Sequence, residues 1–194
     1  MNSLENEHKI IKKAFKKIES IGWQKFNLQI FSKDEKIPME KITSFFSSKT
    51  VLLKKFSKMI DYNVELNFST QDMSVSSIKD NLFELIMLRF EQMQDYKNSL
   101  RIIIKNSRDE PILLTRISKN ILNTLDLYLE ISNGYDKSVL DIFKKNILFL
   151  IYSYCFNVWL NDSSEDLTKT MAELDRLLSM AEKFSKRFKE ILPI

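Results

Sequence analysis

The chain has 194 residues, enough for one large domain or for a small head with a larger body. Its 2 Gly and 3 Pro supply too few turn residues for an all-β or α/β fold, and its single cysteine excludes an internal disulfide framework and a Cys-based zinc site. The net charge of +4 is unevenly spread: residues 1–60 hold 13 Lys/Arg against 6 Asp/Glu and residues 61–194 hold 17 against 20, so the positive field of the first sixty residues points to a polyanion, nucleic acid or an anionic membrane surface.

The spacing of Ile10, Ile11, Ala14, Phe15, Ile18 and Ile21 predicts an amphipathic helix over residues 5–21, with Lys9, Lys12, Lys13, Lys16 and Lys17 on its other faces. Gly22 is its stop, as a left-handed C-terminal cap. A short second helix follows over 27–33, with Asn27 as N-cap and Leu28, Ile30 and Phe31 facing inward. Asp34-Glu35-Lys36 makes a turn, and Pro38 opens a third helix that carries Ile42 and either Phe45 or Phe46 into the core. Ser47 or Ser48 caps a fourth helix, which runs to about residue 67 on Leu52, Leu53, Phe56, Met59 and Ile60. This layout is a helix-turn-helix head with a fourth helix leading out of it, an arrangement that offers helix N-termini and Lys side chains to a phosphate backbone.

The Ser/Thr-rich stretch 67–76 reads as a linker. Beyond it the pattern is helical throughout. One helix over 77–96 uses Leu82, Leu85, Ile86, Phe90 and Met93, and another covers about 98–106. Pro111 restarts the chain after Arg108-Asp109-Glu110, and a helix runs from there to residue 131 on Leu114, Ile117, Ile121, Leu125 and Tyr128, with Asn133-Gly134 as its stop. The helix expected over 137–160 is apolar nearly all round past Ile147, so part of its burial is expected to come from a second copy of the chain. Asn161-Asp162-Ser163-Ser164 breaks it and caps a last helix over 165–191. Phe184, Phe188 and Ile191 share one face of that helix, and Lys183, Lys186, Arg187 and Lys189 fill the rest, so residues 183–194 could lie on an anionic membrane or end a dimer helix.

Signals for catalysis are nearly absent. His8, the only histidine, sits at an N-terminus expected to fray, and no Ser-His-Asp set, metal site, Gly-rich phosphate loop or paired-carboxylate spacing can be assembled. Cys155 lies in an apolar run, where a thiol is inert. The expectation is therefore a non-enzyme with no cofactor and no metal. The start of the chain has no apolar signal-peptide core, and the apolar run 147–160 is shorter than the roughly 20 residues of a membrane span, so a soluble cytoplasmic protein is expected.

Over residues 10–60 the chain resembles the TetR family of transcriptional regulators. The resemblance rests on Gly22-Trp23, on the helix-turn-helix spacing from Leu28 to Phe46, and on Phe46-Ser47-Ser48-Lys49-Thr50-Val51-Leu52-Leu53, which is similar to the family's Phe-Pro-Ser-Lys followed by two leucines. The family's turn glycine is Lys36 here, and its Ser-Lys-Gly-Thr-Leu-Tyr recognition-helix start reads Pro38-Met39-Glu40-Lys41-Ile42-Thr43, without the phosphate-touching Tyr. The resemblance implies an all-α, TetR-like homodimer, with a DNA-binding head over 1–66 and a helical ligand-binding and dimerisation body over 67–194 whose last two helices pair with their symmetry mates. Lys36, Met39, Lys41, Thr43 and Ser44 are then the candidates for DNA contact on the third helix. Lys25, Asn27 and Gln29 are candidates beside the second, and Ser48 and Lys49 at the start of the fourth. Glu40 sets an anion toward a polyanion unless it reads a cytosine amine.

A second resemblance lies in the last third. Val158-Trp159-Leu160-Asn161-Asp162-Ser163-Ser164 with Thr170-Met171-Ala172-Glu173-Leu174-Asp175-Arg176 looks like the closing motif of the TetR-like coenzyme Q accessory lipid-binding family, which supports ubiquinone biosynthesis. It implies a lipid carrier without DNA binding. Either resemblance is compatible with a small apolar or lipid ligand in the body. The candidate lining is Phe83, Met87, Phe90 and Met93 from one helix, Leu125 and Tyr128 from the next, and Phe149, Tyr152, Cys155, Phe156 and Trp159 from the apolar one.

Overall fold

Nine α-helices follow one another among the described residues, which in this computed structural model are 3–69, 74–107, 109–137 and 141–191. They are α1 (Ser3–Ile21), α2 (Leu28–Glu35), α3 (Met39–Phe45), α4 (Lys49–Asn67), α5 (Ile78–Gln92), α6 (Lys97–Ser107), α7 (Pro111–Ile131), α8 (Asp141–Asn161) and α9 (Thr168–Ile191), with a 3-10 turn at Gln94–Tyr96. The expected elements are all present. The helix expected over 77–96 ends four residues early and tightens into the 3-10 turn. Residues 138–140 of the helix expected from 137, and 70–73 of the expected linker, lie outside the described residues.

The chain divides into two units: Met1–Asn63 with Met93–Asn120, and Val64–Gln92 with Ile121–Ile194. Each unit draws on two segments, whereas the division read from sequence, 1–66 and 67–194, is contiguous.

In the first unit the α1 stripe packs as its period requires, with Ile11, Ala14, Phe15 and Ile18 buried. Phe15 stacks on Phe56 of α4 at 4.1 Å, and Tyr96 closes edge-on against both, at 5.4 and 4.9 Å. Burial pushes the Tyr96 phenol up to about 12. The Asn98 amide donates to Glu19 at 2.9 Å, tying α6 to α1. His8 is not on a frayed end: it lies within α1, edge-on to Tyr62 at 5.9 Å, and partial burial lowers its pKa. On α2, Ile30 points to solvent, contrary to the expected inward set, because Leu28 and Phe31 already fill the one face of an eight-residue helix. On α7, Leu114 is exposed and its neighbour Leu113 is buried instead.

In the second unit α9 packs on α8 and α5. Its core is an aromatic stack in which Phe90 lies 5.3 Å from Tyr152 and 5.6 Å from Trp159, and Phe156 lies 5.4 Å from Trp159. The α8–α9 corner is held by one carboxylate. Asp162 Oδ1 accepts from the Ser164 amide at 3.0 Å and from its hydroxyl, while Oδ2 accepts from the Thr170 amide at 2.9 Å and hydroxyl at 2.8 Å. Burial alone would raise the pKa of Asp162. The four donors outweigh it and hold the carboxyl well below the usual range.

Candidate nucleic-acid interface and apolar cavity

The helix-turn-helix is built by local backbone chemistry. Asn27 caps α2, its Oδ1 accepting from the Ile30 amide at 2.8 Å. Lys36 ends α2 in the left-handed region, φ 53°, where its amide donates back to Lys33 and Ser32 and the Ser32 hydroxyl donates to Ile37 O at 2.7 Å. A lysine tolerates that conformation at a cost a glycine avoids. Pro38 then stands at the N-cap of α3, and Ile42 and Phe46 fill the core, with Phe46 rather than Phe45 the buried partner. Ser48 caps α4, its hydroxyl accepting from the Val51 amide at 3.2 Å.

The expected DNA-contact residues divide into three groups on this frame. Lys25, Gln29, Lys36 and Lys41 are exposed, and Met39 is half-buried. Asn27, Thr43, Ser44 and Ser48 spend a side-chain oxygen on the backbone. Thr43 donates to Met39 O and Glu40 O at 3.1 Å, and Ser44 to Lys41 O at 2.8 Å. Lys49 turns inward: its Nζ donates to the Trp23 carbonyl at 2.8 Å and lies 4.3 Å from the centre of the Trp23 ring. Burial lowers the Lys49 pKa, with Glu110 opposing. Glu40 is exposed in the first turn of α3. Lys13–Glu35 at 3.0 Å, Lys17–Asp34 at 2.6 Å and Lys55–Glu7 at 2.9 Å neutralise part of the positive field of the first sixty residues.

The expected ligand-lining residues pack as core. Met87, Phe90, Leu125, Tyr128, Tyr152 and Trp159 are buried in the second unit, Phe83, Phe149 and Phe156 are half-buried there, and Met93 is buried in the first unit. The buried Arg89 donates from Nε to Tyr152 Oη at 3.1 Å, which fixes that ring. Cys155 is buried too, and burial pushes its thiol up to about 11, so no thiolate forms near neutral pH.

A cavity of about 730 Å³ in the second unit is lined by a different set. Ile78 and Leu82 come from α5, Leu129 from α7 and Gly134 from the turn that follows α7. Phe143, Ile147, Leu148 and Ile151 come from α8, and Leu178, Ala181, Phe184 and Phe188 from α9. Three lysines reach it, and each is already neutralised. Lys79 bonds Asp175 at 2.9 Å, and that bond raises its pKa; Lys186 pairs with Glu182 at 2.9 Å. Lys144 meets Asp141 at 2.7 Å and Asp136 at 2.9 Å, and the two acids outweigh the burial that would otherwise lower its pKa. Sequence reasoning missed this cavity because its walls are ordinary aliphatic and phenylalanine positions on four helices. The one available signal was the run of apolar residues on every face of α8, read there as burial by a second copy. Among the described residues no group of His, Cys, Asp or Glu is placed to hold a metal ion, and no helix is long and apolar enough to cross a membrane.

The motif Leu174-Asp175-Arg176 has a structural account as well. Leu174 is buried, Asp175 holds Lys79, and Arg176 reaches Glu173 at 2.6 Å.

No family model matches the chain, and no curated protein matches it. Among solved structures it is similar to the crystal structure of the TetR transcriptional regulator from Nitrosomonas europaea ATCC 19718, with a TM-score of 0.76 over 92% of this chain and 98% of that chain, at 17% identity. The fold is TetR-like. At this identity the likeness speaks for the architecture, and what the TetR-like chain binds has to be argued from its own residues.

Proposed function

We propose that the protein is a TetR-type transcriptional regulator that binds DNA as a homodimer through a head over residues 1–66 and is modulated by a small apolar ligand in its body, 67–194. The observation that carries this reading is the α2–turn–α3 unit, with Lys25, Gln29, Lys36 and Lys41 exposed around it in the part of the chain where the positive charge is concentrated. The cavity supports the ligand half of the reading, and the apolar positions left exposed on α8 support the homodimer. The hydroxyls of Thr43 and Ser44 are occupied within α3, so base contacts fall to Lys41, Met39 and Glu40, and phosphate contacts to Lys25, Gln29 and Lys36. Selection from random duplexes tests it: a preferred site should emerge, and Lys41→Ala should weaken binding to that site and lower its salt slope by about 1. Binding that stays at the nonspecific level on every selected pool overturns the reading.

A second reading, a lipid-carrying accessory protein of ubiquinone biosynthesis with this fold and no DNA binding, is favoured by the cavity and by the Asp162–Ser164–Thr170 corner of the second resemblance. It predicts lipid that co-purifies with the protein and vesicle binding lost on deleting 183–194. Native mass spectrometry without bound lipid, together with no vesicle association, removes it. Both readings place the protein in the cytoplasm, and neither assigns it a reaction.

A further inference from the structure

Helix α3 turns one face outward: Ile42 is buried, and Glu40, Lys41, Thr43 and Ser44 are exposed. By the helical period Glu40 stands about 160° round the helix from Ile42, and Ser44 about 40° from Glu40. Glu40 and Ser44 therefore hold the middle of the exposed face, with Lys41 and Thr43 at its sides. Thr43 gives its proton to Met39 O and Glu40 O, and Ser44 gives its own to Lys41 O, so both hydroxyls have only lone pairs left for anything outside. The middle of the face is built of acceptors. The Glu40 carboxylate is also unspent. Of the six acids in the first sixty residues, Glu7, Asp34 and Glu35 hold lysines and Glu19 accepts from Asn98. Glu40 has no side-chain partner among the described residues, although Lys41 stands next to it in sequence.

We propose that Glu40 reads a base: its carboxylate accepts from the exocyclic amine of a cytosine in the major groove, so that each half-site of the operator carries one obligatory C·G pair. This base reading rests on the DNA binding of the proposed function and names what that interface selects. An acceptor face repels phosphate, so it cannot lie along a nucleic-acid backbone and needs donors opposite it. On the major-groove edge the donors are the N4 amine of cytosine and the N6 amine of adenine. Adenine sets its N7 acceptor beside the amine, and a carboxylate is repelled by it. Cytosine presents the amine with no acceptor of its own on that edge. The exposed Lys25 and Lys36 supply attraction to phosphate, which is blind to sequence. Glu40 supplies discrimination, because at a site without the amine the carboxylate is desolvated beside a polyanion with no hydrogen bond in exchange.

The test is selection from a random-sequence duplex library with the full-length chain and with Glu40→Gln, followed by titration of the selected duplexes. Glu40 is exposed and its side chain is unpartnered, so its variants are expected to fold. The wild-type consensus should hold an invariant C·G pair that Glu40→Gln exchanges for A·T, since an amide pairs with adenine N6 and N7, and every other position should stay as it was. Replacing that cytosine by 2-pyrimidinone, which lacks the amine, should weaken wild-type binding by at least about tenfold and leave the binding of Glu40→Ala unchanged. This ties the carboxylate to the amine without relying on a variant alone. On the unselected library Glu40→Ala should bind more tightly than wild type, because a repulsion has been removed. A wild-type consensus without an invariant C·G pair, the same consensus from both proteins, or wild-type binding indifferent to loss of the amine overturns the base reading and leaves DNA binding standing. Weaker binding of Glu40→Ala to the unselected library also overturns it. A wild-type chain for which no consensus emerges overturns the DNA-binding function and the base reading with it.

Discussion

The segment from Gly22 to Ser48 and the α8–α9 pair are organised by opposite means. In the first, each change of direction is set within a few residues. Gly22 ends α1 at φ 83°, Asn27 and Ser48 cap the helices that follow them, and Lys36 takes the left-handed turn. In the second, the corner depends on Asp162 reaching Thr170, eight residues on, and the faces of α8 are sorted by neighbours distant in sequence. Phe90 and Trp159 stack, Tyr152 meets Arg89, and Phe143, Ile147, Leu150 and Tyr154 are left outside. Local chemistry fixes where a helix starts and stops. Which face of a uniformly apolar helix becomes core depends on what packs against it.

The contrast can be broken most forcefully at Trp159. Trp159→Ala removes a fully buried ring from the second-unit stack and should cost about 3–5 kcal/mol, read by chemical denaturation. A loss under 1 kcal/mol would mean that the stack does not carry that unit. Asp162→Asn comes next, at about 2 kcal/mol near neutral pH, because one oxygen accepting from two donors becomes an amide. Its pH dependence is signed. The folded pKa lies below the unfolded value, so the carboxylate's contribution is present in full above the unfolded pKa of about 4 and is lost as the pH falls from there toward the folded value. The gap in stability between wild type and Asp162→Asn should therefore close on acidification, and a gap that widens would reject the clamp.

Smaller effects sharpen the first region. Lys49→Met removes the bond to the Trp23 carbonyl and the charge over its ring, and should cost about 1 kcal/mol of stability. The same variant should leave the salt slope of DNA binding unchanged, unlike Lys41→Ala. A lower slope for Lys49→Met would restore Lys49 as a phosphate contact. At Gly22 an added Cβ meets no atom within 4 Å, so Gly22→Ala isolates the backbone term and should cost about 1 kcal/mol in a thermal or urea melt. Lys36→Gly makes the reverse exchange at φ 53° and should gain roughly 0.5 kcal/mol, the relief of left-handed strain less the entropy of a glycine.

The helices were legible in the sequence because their signals are local. The α1 stripe, Gly22, Asn27, Pro111 and Asn133-Gly134 each act on their own turn of backbone, and the fold class with the order of elements followed from them. The exposed lysines of the α2–α3 unit were legible for the same reason. Three features were not. Lys49 reads as a surface cation, and only the approach of Trp23, twenty-six residues earlier, turns it inward. The aromatic residues of α5 and α8 were candidates for a pocket although such spacing more often marks core, and Phe90, Tyr152, Phe156 and Trp159 stack on one another instead. The cavity opened instead where Leu82, Leu129, Ile151 and Leu178, from four helices, stand apart. By itself the sequence determined the periods, the caps and the sign of the charge, since these depend on neighbours within one turn. The tertiary structure alone decided which apolar faces were covered, which lysine was tied inward and where space remained, because packing sums contacts between segments whose separation no local pattern encodes.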